Sequence, residues 1–332
     1  MQAARYYGIR DVRVDDIPKP ACPPGQVLVK VAYAGICGSD LHIYRKGMFV
    51  KYLQETMGHE YSGTIEEVGA GVDGWKPGDQ VVGDPRVGCG GCAWCLQGNY
   101  NLCPDLGFIG EVSPGCFTEY ILADPQKLLR IPPAVDLRRA ALVEPLAVAL
   151  HILDQGAVTG DTALGIIGAG PIGLLTIVAA KALGVQQVTV LDISDPRLDL
   201  AHRIGADRVG SAFPEDSTDT VDVAVEAVGV ASTLDGALKW VRPEGRLVMV
   251  ALYEEPAPID PNYIVGKELH LVGVNAYTTA DLERAVDFLT ACPPGIEQVI
   301  SHVLPLNSVA RGFELLTTPG TTCAKILLAP GT

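Results

Sequence analysis

The sequence is poor in basic residues and has no basic patch. It carries 25 Lys and Arg against 39 Asp and Glu, a formal net charge of −14 over 332 residues. Nucleic acids and anionic membrane surfaces are polyanions, so this charge argues against either as a partner. The amino-terminal segment MQAARYYGIRDVRVDD also lacks the apolar core of a signal peptide, and a cytoplasmic location is therefore expected.

Long uninterrupted apolar segments are absent as well. The longest begins near Thr162, but glycine, proline and Lys181 interrupt it before the roughly twenty mainly apolar residues of a membrane helix are reached. No internal repeat or low-complexity segment is present. What remains is a globular composition, 48% hydrophobic and 19% charged, in a chain longer than one core usually supports, which predicts two domains.

The most informative segment runs from Thr162 to Asp192. An apolar strand leads into a G-x-G-x-x-G turn, a segment compatible with a helix, a second strand and a closing carboxylate. The turn residues are Gly168, Gly170, Pro171, Ile172 and Gly173. In a dinucleotide-binding motif such glycines allow the tight turn, the approach of a pyrophosphate and close helix packing, while the helix amino terminus attracts phosphate. Dinucleotide binding is favoured over a merely tight turn because strand and helix flank the glycines.

The choice between NAD and NADP depends on two residues that follow this turn in the sequence, Asp192 and Arg197. Asp192 ends the second strand, where a carboxylate would accept hydrogen bonds from the ribose hydroxyls and repel a 2′-phosphate. Arg197 follows five residues later and could pair with that phosphate, stack on adenine or lie on the helix surface. We therefore predict NAD as the cofactor, with NADP as the alternative.

The order of predicted elements changes along the chain. Residues 1–150 contain short strands between Gly and Pro turns, with Val27, Val29 and Val31 alternating along one face, which predicts an antiparallel β region. After a helical segment at 136–155, strands and helices alternate, which predicts a doubly wound parallel sheet. The predicted elements there are strand 188–191, helix 196–204, strand 221–226, helix 231–241, strand 246–250 and strand 269–274. The chain after Tyr277 is expected to return to the first domain.

Four of the nine cysteines lie close together as C-x2-C-x2-C-x7-C: Cys89, Cys92, Cys95 and Cys103. Four thiolates saturate a tetrahedral zinc ion, so a structural zinc site is predicted. An iron–sulfur cluster is an alternative, suggested by the spacing of the first three cysteines and by Pro104, but the last gap is longer than in a ferredoxin. Disulfides are disfavoured in a reducing compartment.

A second set of possible metal ligands lies elsewhere, in GICGSDLH, GHEYSG and VEPLA. These segments contain Cys37, His59, Glu60 and Glu144. Each alone would be interpreted as packing, but together they offer the thiolate, imidazole and carboxylate donors of a catalytic zinc, which keeps one position open. Asp40 could orient His59 through its second ring nitrogen.

In these motifs the sequence resembles the zinc-dependent medium-chain dehydrogenases, in the branch that contains sorbitol, threonine and butanediol dehydrogenases. The resemblance spans nearly the whole chain and rests on GICGSDLH, GHEYSGTIEEVGAGVDGWKPGDQV, the four-cysteine segment, EPLAVALH and GAGPIG, in that order. It implies an α/β fold of two domains. These are a GroES-like, mainly antiparallel β catalytic domain at 1–148 and 276–332, with a structural zinc lobe at about 86–106, and a Rossmann NAD-binding domain at 149–275.

The resemblance also implies roles for single residues. Cys37 and His59 would be ligands of the catalytic zinc, with Glu60 and Glu144 as variable ligands beside water. Ser39 would accept the proton of the alcohol, and His42 would end a proton relay. Zinc would act as a Lewis acid on the alcohol oxygen, and hydride would pass to the nicotinamide. Two zinc ions per chain and NAD are the expected cofactors.

The implied function is the oxidation of a secondary alcohol, namely a polyol, sugar alcohol or vicinal diol, to a ketone. The segments IYRKGMFVKY, GFIGEV and VNAYT are expected to line the substrate pocket, and they mix polar and aromatic groups, which suits such a substrate. Alternatives are a threonine 3-dehydrogenase-like enzyme, a sugar-phosphate dehydrogenase, a zinc-free reductase on the same fold and a non-catalytic nucleotide-binding zinc protein. The resemblance further implies a homodimer or homotetramer.

Overall fold

The computed structural model of the chain describes residues 1–214, 218–318 and 320–331. Contacts within the chain divide it into two units. The first comprises Met1–Glu144, Thr278–Cys292 and the described part of Ile300–Thr332, and the second comprises the described part of Pro145–Tyr277 together with Pro293–Val299. Each unit has a hydrophobic core of its own. Among the described residues, no helix is long and apolar enough to cross a membrane.

The strands follow in chain order. They are β1 (Gln2–Gly8), β2 (Asp11–Asp16), β3 (Val27–Gly35), β4 (Glu55–Thr56), β5 (Glu60–Val68), β6 (Gln80–Gly83), β7 (Arg86–Val87), β8 (Gly107–Phe108), β9 (Tyr120–Ala123), β10 (Leu128–Arg130), β11 (Ala163–Ile167), β12 (Gln187–Leu191), β13 (Arg208–Gly210), β14 (Val221–Glu226), β15 (Val241–Met249), β16 (His270–Gly273), β17 (Ile300–Pro305) and β18 (Lys325–Ala329).

The α-helices are placed between them. They are α1 (Gly38–Lys46), α2 (Ala93–Leu96), α3 (Leu137–Ala140), α4 (Val143–Gln155), α5 (Pro171–Ala182), α6 (Asp195–Arg203), α7 (Ala231–Trp240), α8 (Pro261–Lys267), α9 (Thr279–Thr290) and α10 (Val309–Thr317). Short 3-10 turns cover Tyr100–Leu102, Pro125–Lys127, Ile296–Val299 and Leu306–Ser308.

The first unit is mainly antiparallel. Its largest sheet has the order β10-β6-β5-β3-β18-β17, with β9 also paired to β3, and smaller sheets contain β2-β1-β4 and β7-β8. In β3 the alternate residues Val27, Val29 and Val31 are all buried in the core, as the period of two predicts. Among the described strand pairs of this sheet, β17 and β18 run parallel and the others antiparallel.

The second unit is a six-stranded parallel sheet in the order β13-β12-β11-β14-β15-β16. This order is that of the doubly wound dinucleotide-binding fold, in which the chain reverses direction across the sheet after its first half. The strand β11 is buried from Leu164 to Ile167, which explains why its sequence ALGII is continuously apolar. The mixed α/β fold predicted from the sequence is confirmed.

In the second unit, the described residues form two elements that the sequence analysis did not predict. One is the three-residue strand β13, and the other is the helix α8. The start of α8 does carry a local signal, since the side chain of Asp260 accepts a hydrogen bond from the Asn262 backbone and Pro261 occupies the first helical position. The helix is only seven residues long, too short for its apolar period to stand out.

Strand register in the first unit brings distant segments of the chain together. Gly35 at the end of β3 lies opposite Glu60 at the start of β5, and on its other side it lies opposite Leu327 of β18. The turn into α1 follows β3 directly, so Cys37 lies close to both neighbouring strands. This arrangement positions the candidate site.

Candidate active site

Three of the predicted metal ligands meet at this point. The ligand atoms of Cys37, His59 and Glu60 all lie within 4.8 Å of one another. Cys37 is the N-cap of α1, and His59 and Glu60 sit at the entry of β5, where both are buried. A thiol, an imidazole and a carboxylate held this closely form a donor set that zinc accepts, with room in its coordination for a further group.

Asp40 supports this group from the first turn of α1. One of its carboxylate oxygens accepts a hydrogen bond from the Cys37 backbone N–H at 2.9 Å, which holds the start of the helix in place. The other oxygen lies 3.9 Å from Nδ1 of His59, too far for the direct hydrogen bond that the sequence suggested. Burial raises the pKa of Asp40, against the opposing charge of His59.

The electrostatics of the site favour a cation. Burial alone would lower the pKa of His59, but the negative charges of Asp40 and Cys37 outweigh it and hold this pKa well above its usual value. Nδ1 of His59 and Oδ1 of Asp40 are both buried without a hydrogen-bond partner in the described part of the chain. Buried polar atoms of this kind are uncommon, and their surroundings fit a site that a zinc ion completes.

Lys325 is a member of this site that the sequence analysis missed. It is buried in β18, where its Nζ forms an ion pair with the carboxylate of Glu60 and donates a hydrogen bond to the Ile36 carbonyl oxygen at 3.0 Å. A Cβ at Gly35 would overlap the Glu60 carboxylate, so glycine there leaves room for the pair. A signal was present, since Lys325 is the one charged residue in the apolar run AKILLA.

Glu144, Ser39 and His42 lie around this group. Glu144 is buried in the first turn of α4, and its charge acts on His59 and Lys325, but it is not among the three ligand atoms that cluster within 4.8 Å. Ser39 and His42 are both on α1, three residues apart and therefore on one side of the helix. The Ser39 hydroxyl is buried and makes no hydrogen bond within the described residues.

The four clustered cysteines form a second candidate metal centre. The sulfur atoms of Cys89, Cys92, Cys95 and Cys103 lie within 4.8 Å of one another, and three of them accept hydrogen bonds of 3.3 to 3.4 Å from backbone N–H groups of the same loop. Hydrogen bonds from the backbone N–H groups of Gly91 and Cys92 lower the pKa of Cys89 to about 7. Burial and the neighbouring thiols instead raise the pKa of Cys95 to about 12. Four thiolates therefore coexist here only around a cation.

The glycine turn lies in the second unit, between β11 and α5. Gly170 is the N-cap of α5 and Pro171 its first residue, so the free N–H groups of the helix start at the turn as a phosphate site requires. Asp192 follows β12, and its carboxylate accepts hydrogen bonds from the backbone of Ala169 at 2.7 Å and Ser194 at 2.9 Å. Arg197 lies in the first turn of α6, partly buried.

Two further residues near His59 were not predicted as site residues, although GFIGEV was expected to line the pocket. The Phe108 ring lies 5.5 Å from the His59 ring, tilted by 59°. Glu111 is buried in the turn that follows, and its charge interacts with those of His59 and Asp40. No motif marks either residue, because their approach to His59 depends on how the turn packs.

Comparison with known proteins agrees with this fold and site. Residues 23–133 match the family model of the alcohol dehydrogenase GroES-like domain, and residues 171–291 match that of the zinc-binding dehydrogenases. The chain therefore belongs to the family of zinc-binding medium-chain alcohol dehydrogenases, as the resemblance predicted. It is an oxidoreductase of that family.

Its relatives include enzymes of the expected branch. Sorbitol dehydrogenase of Bacillus subtilis strain 168 is 31% identical over 344 residues, which cover 99% of this chain and 97% of that protein. The crystal structure of 2R,3R-butanediol dehydrogenase from Bacillus subtilis matches with a TM-score of 0.92 and 33% identity over 99% of both chains. An alcohol dehydrogenase from Escherichia coli CFT073, crystallised with NADH, matches with a TM-score of 0.91 and 31% identity over 99% of both chains.

Proposed function

We propose that this protein oxidises a secondary alcohol that bears a neighbouring hydroxyl, a polyol, sugar alcohol or vicinal diol, to a ketone, with zinc and NAD as cofactors. The observation that carries the proposal is the convergence of Cys37, His59 and Glu60, together with the buried hydroxyl of Ser39, which follows Cys37 by two residues and has no hydrogen-bond partner among the described residues. The similarity to sorbitol and butanediol dehydrogenases supports the substrate class.

The residues of the chain would share the work as follows. Cys37, His59 and Glu60 would hold the zinc ion, with Glu144 as a further ligand. A bound zinc supplies a Lewis acid that lowers the pKa of an alcohol, so that the alcohol ionises near neutral pH. Ser39 would accept the proton at Oγ, since no described residue forms a hydrogen bond with this hydroxyl.

Other residues of the chain would carry the proton away from Ser39 and bind the cofactor. His42, three residues after Ser39 on the same side of α1, would carry the proton onward. The turn from Gly168 to Gly173 would hold the pyrophosphate of the cofactor at the start of α5, and Asp192 would bind its ribose. The substrate's hydride would go to the nicotinamide, which the chain has only to orient.

A substrate screen tests the reaction. We expect NAD-dependent oxidation of polyols or vicinal diols with a higher kcat/KM than that of ethanol or other simple primary alcohols. Cys37→Ser should lower kcat/KM by at least about 1,000-fold, since it removes a ligand of the Lewis acid, and should leave the unfolding temperature nearly unchanged. A better turnover of ethanol than of every diol, polyol and amino alcohol would contradict the substrate assignment.

The metal content is a separate prediction. We expect about two zinc ions per chain on elemental analysis of protein purified without added metal, because two ligand sets converge. Cys95→Ser should reduce the content to about one and lower the unfolding temperature, with activity lost only as far as the protein unfolds. A content near one in fully active wild-type protein would refute the catalytic zinc.

Cofactor preference follows from Asp192. A 2′-phosphate next to this carboxylate would bring like charges into contact, so NAD should be preferred over NADP. Asp192→Ala should reduce this preference by roughly tenfold or more, which corresponds to about 1.4 kcal/mol, while Arg197→Ala should leave NAD use unchanged. Equal or better kcat/KM with NADP in the wild type would show that Arg197 governs the site.

We also propose that the protein forms a homodimer or a homotetramer. Light scattering on the protein eluted from a size-exclusion column would measure its mass and test this proposal.

A further inference from the structure

The turn that carries Glu111 packs directly against the segment that leads to His59. The Gly110 N–H donates a hydrogen bond to the Ser113 carbonyl at 2.7 Å, which closes the turn. A Cβ at Gly110 would lie only 2.6 Å from backbone atoms of Gly58, so the two backbones are in contact. Phe108, at the start of this turn, faces the His59 ring at 5.5 Å. Glu111 is therefore carried to the site by the backbone itself.

Glu111 is an isolated buried carboxylate. It is 7% exposed, and no Lys or Arg among the described residues forms an ion pair with it. Burial raises its pKa to about 6, and the charge of His59 and a hydrogen bond from the Phe108 backbone only partly oppose this rise. Burying a carboxylate without a Lys or Arg ion pair costs free energy, so its presence near the site calls for a functional reason.

The site as a whole is rich in negative charge. Asp40, Glu60 and Glu144 are buried carboxylates like Glu111, and Cys37 adds a thiol. Among the described lysines near the site, Lys325 is paired with Glu60. The backbone N–H of Lys51 donates a hydrogen bond to the Glu111 carbonyl, but the Lys51 side chain is exposed. Cys37 and Glu144 together would balance a divalent ion, so Asp40 and Glu111 would leave the loaded site negative. An anionic group on the substrate would meet this charge in a buried environment, where repulsion is poorly screened.

We propose that Glu111 is a specificity-determining residue that selects uncharged polyhydroxylated substrates and excludes those bearing a phosphate or a carboxylate. Its carboxylate would accept a hydrogen bond from a substrate hydroxyl, a charge-assisted bond of the stronger kind. The inference rests on the function proposed above and narrows it, because a sugar phosphate and an amino acid such as threonine both carry the excluded charge.

The test compares a hexitol with its terminal phosphate ester on the zinc-loaded enzyme with NAD. We expect wild-type kcat/KM to favour the hexitol by roughly 100-fold or more, since the like charges of Glu111 and the phosphate would repel each other. Glu111→Gln keeps the size and removes the charge, and it should narrow this ratio at least about tenfold. The control Glu67→Gln makes the same change at an exposed position of β5 and should leave the ratio unchanged.

A second variant separates charge from shape. Glu111→Asp keeps the charge on a shorter side chain, so it should still exclude the phosphate ester while using the hexitol less well. An unchanged ratio in Glu111→Gln, a loss of exclusion in Glu111→Asp, or a wild type that accepts the ester as readily as the hexitol would each overturn the inference.

A binding measurement keeps this result distinct from the proposed function. The shift in unfolding temperature caused by the hexitol or by its phosphate reports binding without turnover. If the wild type oxidised no secondary alcohol, the proposed function would fail. The charge selection would still be supported if the hexitol but not its phosphate raised the unfolding temperature of the wild type, and if the phosphate raised that of Glu111→Gln as well. Equal stabilisation of the wild type by both compounds would refute it.

Discussion

At the scale of single residues, the pairing of Lys325 with Glu60 is the most consequential contact in the site. Both side chains are buried, and each carries a charge that would be costly alone. Burial would lower the pKa of Lys325, but the charge of Glu60 outweighs it and raises this pKa, so the lysine stays protonated. Lys325 thus sets where the carboxylate of a predicted zinc ligand lies.

A double-mutant cycle tests this pairing. Lys325→Met should lower the free energy of unfolding by about 3 to 5 kcal/mol, because Glu60 is left charged and buried, whereas the double variant with Glu60→Gln should recover much of the loss. Lys30→Met, at an exposed position of β3, should change stability by less than about 0.5 kcal/mol. Urea unfolding measures the four proteins of the cycle and the Lys30→Met control. Additive losses in the two single variants would show that the pair is not coupled.

At the scale of elements, the strand β11, the glycine turn and the helix α5 form one unit with two separable tasks. The turn must let α5 lie close to the strand, and it must leave space for a phosphate. A Cβ at Gly173 would overlap the Gly168 carbonyl oxygen, whereas a Cβ at Gly170 would meet no atom within 4 Å. Packing therefore depends on Gly173, and the open space lies at Gly170.

Two alanine substitutions separate these tasks. Gly173→Ala should destabilise the protein by about 1 to 3 kcal/mol, as overpacking does, and weaken NAD binding with it. Gly170→Ala, in extended backbone with an open Cβ position, should keep stability within about 0.5 kcal/mol and still weaken NAD binding roughly tenfold by blocking the pyrophosphate. Thermal unfolding and a binding titration measure both. Unchanged NAD affinity in Gly170→Ala would place the phosphate elsewhere.

At the scale of the whole molecule, the two candidate metal centres differ in what they would support. The four thiols lie in a loop with little regular structure, between β7 and β8, and would hold that loop together around the ion. The other candidate centre, formed by Cys37, His59 and Glu60, lies on and beside strands of the large sheet. The hydrophobic core that covers this sheet does not include these three residues. Loss of metal should therefore unfold the four-cysteine loop, whereas the strands around Cys37, His59 and Glu60 should stay folded.

Timed treatment with a chelator tests this difference. Activity should fall first, with little change in unfolding temperature, because the catalytic centre keeps a position open to the chelator. The unfolding temperature should fall later, when the closed four-thiolate centre loses its ion. The measurement follows zinc content, activity and unfolding temperature over time on the same samples, and it shows whether the two centres lose their ions in separate phases. A single phase, in which all three fall together, would contradict two separate centres.

Several features of the protein could be predicted from the sequence because their cause is local. The glycine turn, its flanking strand and helix, and the four clustered cysteines each depend on residues a few positions apart, and the structure places them as the spacing predicts. Apart from β13 and α8, the order of strands and helices in the second unit followed from apolar periodicity, and family membership followed from the order of the motifs. The roles of Ser39 and His42 stay predictions.

Only the tertiary structure decided the surroundings of the site. Lys325 lies 265 residues from Glu60 in the chain, and their pairing depends on β3 lying between β5 and β18, a register that no local pattern specifies. Glu111 approaches His59 because two backbone turns touch at Gly58 and Gly110. The sequence by itself determined which donor groups are present, since chemistry belongs to residue types. Folding decided which charges they meet, because Coulomb energy depends on distance and burial.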